Sequence, residues 1–106
     1  IRQINRFHVT QLAYFLKKLK SVKEGEATLL DRCMIVYGSG IGDGNAHNHD
    51  NLPILLAGRG GGALQPGRHV KFDNGTPLTN LYLSMLERVG AKVEKLGDSS
   101  GRLANL

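Results

Sequence analysis

The chain reads as a small α/β unit: a parallel or mixed sheet of two to four short strands with two main helices. Three observations predict this. Two unbroken apolar runs, Cys33-Met34-Ile35-Val36-Tyr37 and Ile54-Leu55-Leu56-Ala57, have the length and character of strands buried on both faces. Two longer stretches keep helical spacing of their apolar residues, one before the strands and one after. Between the strands lies a polar, glycine-rich segment, 37–50, which holds most of the residues able to do chemistry. In open parallel sheets, ligands bind at such strand ends.

The first helix is expected over Ile4 to Val22. Ile4, His8, Gln11, Leu12, Phe15, Leu19 and Val22 form one stripe, widened by Phe7, Val9, Ala13 and Leu16, so the helix is expected to pack on something. Its lysines, Lys17, Lys18 and Lys20, crowd the last turn and suit the negative end of the helix dipole. Gly25 is a stop signal. Residues 24–32 then form a connection, with Leu29 and Leu30 tucked beneath it. After the second strand, Gly58-Arg59-Gly60-Gly61-Gly62-Ala63 has the small-residue spacing of a dinucleotide loop. Pro66-Gly67 follows too soon for the helix that such a loop requires, so it reads as a flexible loop. His69 to Phe72 suggests a short edge strand ended by the turn Asp73-Asn74-Gly75. The second helix has Thr76 as N-cap, Pro77 at its first position, an apolar series from Leu78 to Val89, and Gly90 as its stop. Ala91 to Leu96 suggests another strand, and 97–102 a polar loop.

At 106 residues and 41% hydrophobic content, the sequence allows one domain with a modest core, residues 1–106 as a single unit. Two or three strands and two helices cover a parallel sheet thinly, and the chain starts at Ile1, so it is expected to be a fragment of a larger domain. Uncovered apolar surface would then favour self-association. The net charge of +5 is scattered. The group Lys17, Lys18, Lys20 and Lys23 is interleaved with apolar helix positions and reads as a solvated face, so no nucleic-acid partner is expected. No apolar run approaches the roughly 18 residues of a membrane span, and no membrane partner is expected. The single cysteine, Cys33, reads as an inert buried thiol.

Asp43, His47, His49 and Asp50 put two imidazoles and two carboxylates in one loop, and such donors bind zinc, manganese or iron when their lone pairs converge. In an extended segment His47 and His49 point the same way. Polar loops also hold such residues without metal, since Asn45, Asn48 and Asp50 are ordinary turn formers. Ser39 follows the strand as an elbow serine would, but Tyr37 occupies the place where that motif needs glycine. A triad of Ser39, His47 and Asp50 has no support from spacing.

The run Tyr37-Gly-Ser-Gly-Ile-Gly-Asp-Gly-Asn45 with His47-Asn-His-Asp50, the segment Leu52-Pro-Ile-Leu-Leu-Ala-Gly-Arg-Gly-Gly-Gly62, the helix Leu78-Thr-Asn-Leu-Tyr-Leu83 and the end Gly97-Asp-Ser-Ser-Gly-Arg102 resemble the C-terminal part of an uncharacterised, usually exported bacterial domain-of-unknown-function family. Ile4-Asn-Arg-Phe-His8 extends that resemblance over nearly the whole chain. The family in turn resembles a distant branch of the alkaline phosphatase and sulfatase superfamily, whose members use two metal ions on phosphate and sulfate esters. The resemblance implies an exported or periplasmic location, a longer parent whose N-terminal part is this chain's partner, and zinc or manganese as cofactor. It implies Asp43, His47 and His49 as metal ligands, Asp50 as a partner orienting an imidazole, and Arg59 as a contact for an anionic ester. It implies no catalytic residue here, because the superfamily's nucleophile lies in its N-terminal half. Where the superfamily has Asp-His at the strand end, this chain has Ser39-Gly40. Two readings follow: the metal-site portion of an ester hydrolase, inactive alone, or a non-catalytic binding or structural module that kept the fold without the metal site.

Overall fold

The computed structural model describes residues 1–106 and shows a small α/β protein with three α-helices and two small antiparallel sheets. In chain order the elements are α1 (Arg2–Ser21), β1 (Lys23–Glu24), β2 (Ala27–Thr28), α2 (Leu29–Arg32), β3 (Ile35–Gly38), β4 (Ile54–Ala57), a 3-10 turn (Gly60–Gly62) and α3 (Thr79–Arg88). Residue contacts cluster into two compact units. One comprises Ile1–Gly38 with Ile54–Pro66, the other Ser39–Pro53 with Gly67–Leu106.

In the first unit, α1 ends at Ser21, and the chain becomes extended at Val22. Leu12, Leu16 and Leu19, which share one side of the helix, are half-buried, while Ile4, Phe7 and Phe15 are exposed. Only part of the expected apolar stripe is therefore covered. The connection 24–32 is more regular than its sequence suggests. β1 and β2 form a hairpin pairing Lys23 with Thr28 and Glu24 with Ala27. Gly25 supplies its tight loop with φ 64°, a conformation that a Cβ would strain. Thr28 then caps α2 through a reciprocal pair: its hydroxyl accepts from the Asp31 amide, and the Asp31 carboxylate accepts from the Thr28 amide at 2.8 Å. These two bonds satisfy donors that a short helix leaves open.

β3 and β4 pair antiparallel, with Ile35 opposite Ala57 and Gly38 opposite Ile54. This corrects the expectation of a parallel or mixed sheet. A parallel pair needs a crossover, usually a helix, whereas residues 39–53 contain no helix and bring the chain straight back. A two-stranded sheet cannot bury both faces either, and Leu55 is left exposed. Past β4 the backbone closes on the segment before β3. The Gly60 amide donates to the Cys33 carbonyl at 2.9 Å, and Gly58 lies so near that a Cβ would overlap that oxygen. Leu64 is buried beside this turn, close to Met34 and Gly60. Gly58 and Gly60 are thus closely packed, while Gly61 and Gly62 of the following 3-10 turn are exposed.

The second unit is built on α3. Thr76 does not cap this helix; its hydroxyl donates to the Asp73 carbonyl at 2.8 Å and closes the turn before it. The helix ends in a paired arrangement in which Gly90, with φ 85°, donates to the Glu87 carbonyl and Ala91 donates to the Leu86 carbonyl. The buried face of α3 carries Leu81 and Leu83 with Asn80 and Ser84, whereas Val89 of the expected apolar series is largely exposed. Those two polar residues hold the C-terminal tail. Asn80 accepts from the Ser100 amide at 2.9 Å and donates to the Ser100 hydroxyl at 3.2 Å. Ser84, with no exposed surface, accepts from the Leu103 amide at 2.7 Å and donates to the Leu103 carbonyl at 3.3 Å. Thr79 donates to Asp98, and Arg102 reaches both Glu87 and the Val93 carbonyl. Neither 69–72 nor 91–96 forms the strand that its sequence suggests. The tail's backbone groups find side chains of α3 and its own turns instead of a sheet edge.

Replacing Ser84 with alanine leaves the Leu103 amide and carbonyl without their partner, at a cost of about 1–3 kcal/mol. Denaturant unfolding of S84A, together with faster amide exchange at Leu103, measures this.

Candidate functional site

The residues singled out by their chemistry lie in the loop 39–53, and the loop is held mainly by its own backbone. The Gly42 amide donates to the Asn48 carbonyl at 2.8 Å and the Asn48 amide to the Asp43 carbonyl at 3.2 Å, closing a bridge between Asp43 and Asn48. Inside this bridge the Asp43 carboxylate accepts from the Asn45 amide at 2.9 Å and the Ala46 amide at 3.3 Å. This is the ordinary way an aspartate makes a turn. The Asp50 amide donates to the Asn48 side chain. His47 and Asn51 both take left-handed backbone conformations, φ 51° and 52°, which allow the chain to reverse within a few residues. A side chain at Gly42 would stand 3.1 Å from the Asp50 carbonyl, so the loop folds tightly there.

His49 is oriented by a main-chain group. Its Nδ1 lies 2.6 Å from the Gly40 carbonyl oxygen, and since that oxygen only accepts, Nδ1 carries the proton. In the neutral ring Nε2 is then the nitrogen with the available lone pair. The partner that sets the ring is Gly40, not Asp50. Ser39 accepts from the Ile41 amide at 3.1 Å, a local turn contact, and not a hydrogen bond to an imidazole.

No group of three or more His, Cys, Asp and Glu side chains is arranged to hold a metal ion. Zinc needs at least three protein donors around one point, and the harder divalent ions need more oxygens still. Asp43 faces two amides of its own turn, and His49 offers one nitrogen. The residues of this chain do not by themselves fit the two-metal centre that the superfamily resemblance implies.

Arg59 belongs to a different place. Its Nε lies 3.5 Å from Asp31, and it lines a shallow depression with Glu26, Ala27, Asp31, Arg32, Gly61 and Gly62. Arg32 pairs with Glu24 at 3.3 Å. Both guanidinium groups thus face carboxylates, which leaves the depression near electrical balance and ill-suited to an anionic ester. The hydrogen bonds from the Thr28 amide and hydroxyl hold the Asp31 carboxyl below its ordinary value, with Arg59 and Lys20 adding to the effect. His8 stands edge-on to Phe7, ring centroids 5.8 Å apart, on the exposed side of α1, and His69 is exposed.

Sequence reasoning passed over two features. The Thr28-x-x-Asp31 capping pair was visible as a motif before a short helix. Asn80 and Ser84, four residues apart, stand on the side of α3 away from the series Leu78, Tyr82, Met85 and Val89, so the apolar spacing gave no signal of them. No helix is long and apolar enough to cross a membrane. The chain matches no protein-family model, no curated protein and no solved structure.

The Asp31 carboxylate is favoured by folding, so it stabilises the protein above its ordinary value of 3.8, and this contribution disappears as pH falls through the lowered folded-state value. Asp31→Asn is expected to lower stability at neutral pH. Urea unfolding of both proteins should show the difference closing in acid.

Proposed function

We propose that this chain is a non-catalytic binding or structural module, related by its sequence motifs to the phosphatase- and sulfatase-like superfamily but without a working metal site of its own. The reading rests on one observation above the others: the loop proposed to stand where that superfamily keeps a metal motif spends its polar side chains on its own backbone. Asp43 serves the amides of Asn45 and Ala46, Ser39 serves Ile41, and the ring of His49 is fixed on Gly40. Gly42 leaves room for the close approach of the Asp50 carbonyl, 3.1 Å from where a Cβ would stand. In this role the loop presents a formed polar surface and performs no step on a substrate.

A second reading is favoured by His49 alone. Histidines that bind metals commonly donate their other nitrogen to a carbonyl or carboxylate, which fixes the ring and its tautomer. The His49–Gly40 contact has that form. On this reading the chain contributes one imidazole to an ester-cleaving centre whose remaining donors lie elsewhere.

Calorimetric titration of the chain with zinc and with manganese separates the two. The module reading expects no saturable binding and no change on replacing His47 and His49 by alanine. Saturable binding of either ion at equimolar ratio, abolished by that double substitution, would overturn it.

A further inference from the structure

Asn74 is the only asparagine of the chain that a glycine follows, and the turn before α3 explains the glycine. The Thr76 amide donates to the Asp73 carbonyl at 3.1 Å, closing a β-turn in which Gly75 stands third with φ 85°, a conformation that favours glycine there. Asn74 stands second, at the exposed tip. The Thr76 hydroxyl bonds the same Asp73 carbonyl, so the turn is held at its two ends and not through its central residues. Neither the Gly75 amide nor the Asn74 side chain has a hydrogen-bond partner within the protein.

An asparagine side-chain amide has a nucleophile in reach within its own chain, the backbone nitrogen of the next residue. Attack by that nitrogen is intramolecular and avoids the cost of bringing two molecules together. A side chain on the next residue would crowd the approach, and glycine has none. We propose that Asn74 is a site of spontaneous covalent modification in the folded protein, converting through a succinimide to aspartyl and isoaspartyl forms. The Gly75 nitrogen bonds to Asn74 Cγ, the Cγ–Nδ2 bond breaks, and Nδ2 leaves as ammonia with the proton that the Gly75 nitrogen gives up. Water then opens the ring. Breaking the new N–Cγ bond leaves aspartate; breaking the original peptide C–N bond leaves isoaspartate, whose main chain runs through Cβ and Cγ.

The other candidates are protected. Asn80 is buried and spends its side chain on Ser100, the Asn48 side chain accepts from the Asp50 amide, and the Ala46 amide that follows Asn45 is held by the Asp43 carboxylate. Asp43 also precedes a glycine, but its carboxylate is held by the Asn45 and Ala46 amides. Conversion at residue 74 places a new carboxylate beside Asp73. The isoaspartyl form also lengthens the main chain between Asp73 and Thr76, so that the two bonds to the Asp73 carbonyl no longer fit.

The test incubates the intact chain at mildly alkaline pH beside a synthetic peptide spanning 71–78. Mass spectrometry with electron-transfer fragmentation follows both and separates aspartyl from isoaspartyl residues. In the folded chain, residue 74 is expected to convert at least about tenfold faster than any other asparagine, since reach and orientation set the rate of an intramolecular attack. Its rate should be of the same order as in the peptide, because no bond of the fold holds the reacting pair. In the converted fraction, amide exchange at Thr76 should accelerate while Leu103 stays protected. Asn74→Gln, a change at an exposed tip, should leave the circular dichroism unchanged and abolish the conversion, because its ring is larger and slower to close. An intact Asn74 over an interval in which the peptide converts overturns the proposal. So does faster conversion at another asparagine, or an unchanged rate of ammonia release from the N74Q chain.

Discussion

Antiparallel pairing of Ile35–Gly38 with Ile54–Ala57 is the constraint on which the rest depends. It makes residues 39–53 the connection of a hairpin and not the exit from a parallel sheet. The ligand-site logic of open parallel sheets rests on strands that all end at one edge with helix N-termini beside them. A hairpin connection has neither, so its amides and carbonyls must be satisfied locally or by water. Asp43, Asn48 and the Gly40 carbonyl meet that requirement. The same pairing brings Gly58 against the Cys33 carbonyl, where only glycine leaves room, and lets the Gly60 amide donate to it.

The second unit solves the same backbone problem by a different route. Its tail forms no strand, yet its polar groups reach Asn80, Ser84 and Thr79 on successive turns of α3. Burying a serine with no exposed surface is tolerable because its hydroxyl both donates and accepts there, and no buried side-chain polar atom in the protein lacks a partner. Fully buried hydrophobic residues are few, Leu64, Leu81 and Leu83. With so small an apolar core, hydrogen-bonded side chains and turns carry an unusual share of the definition of the fold.

Helix periodicity is local, and it was legible: α1 and α3 lie within the stretches that their apolar spacing marks and Gly90 ends α3, although Gly25 serves the β1–β2 loop and does not stop α1, and the α/β class follows. The direction of strand pairing was not legible, because a short apolar run looks alike in a parallel and an antiparallel sheet. His69–Phe72 and Ala91–Leu96 read as strands because apolar alternation cannot tell whether a partner edge exists. Thr76 and Pro77 look like a helix start, but the hydroxyl found the Asp73 carbonyl first. In the loop, the sequence located the donors at Asp43, His47 and His49 without indicating convergence. Whether donors converge depends on backbone turns at His47 and Asn51, whose left-handed conformations no spacing rule reveals.

The proposed role of the loop turns on the state of the His49 ring. Long-range nitrogen–proton correlation on the imidazole of His49 reads its tautomer directly. A proton on Nδ1, held by the Gly40 carbonyl, with both ring nitrogens unmoved when zinc is added, is the result expected of a loop bonded to itself. A saturable zinc-dependent shift of Nε2, joined by shifts at His47 and Asp43, would contradict it.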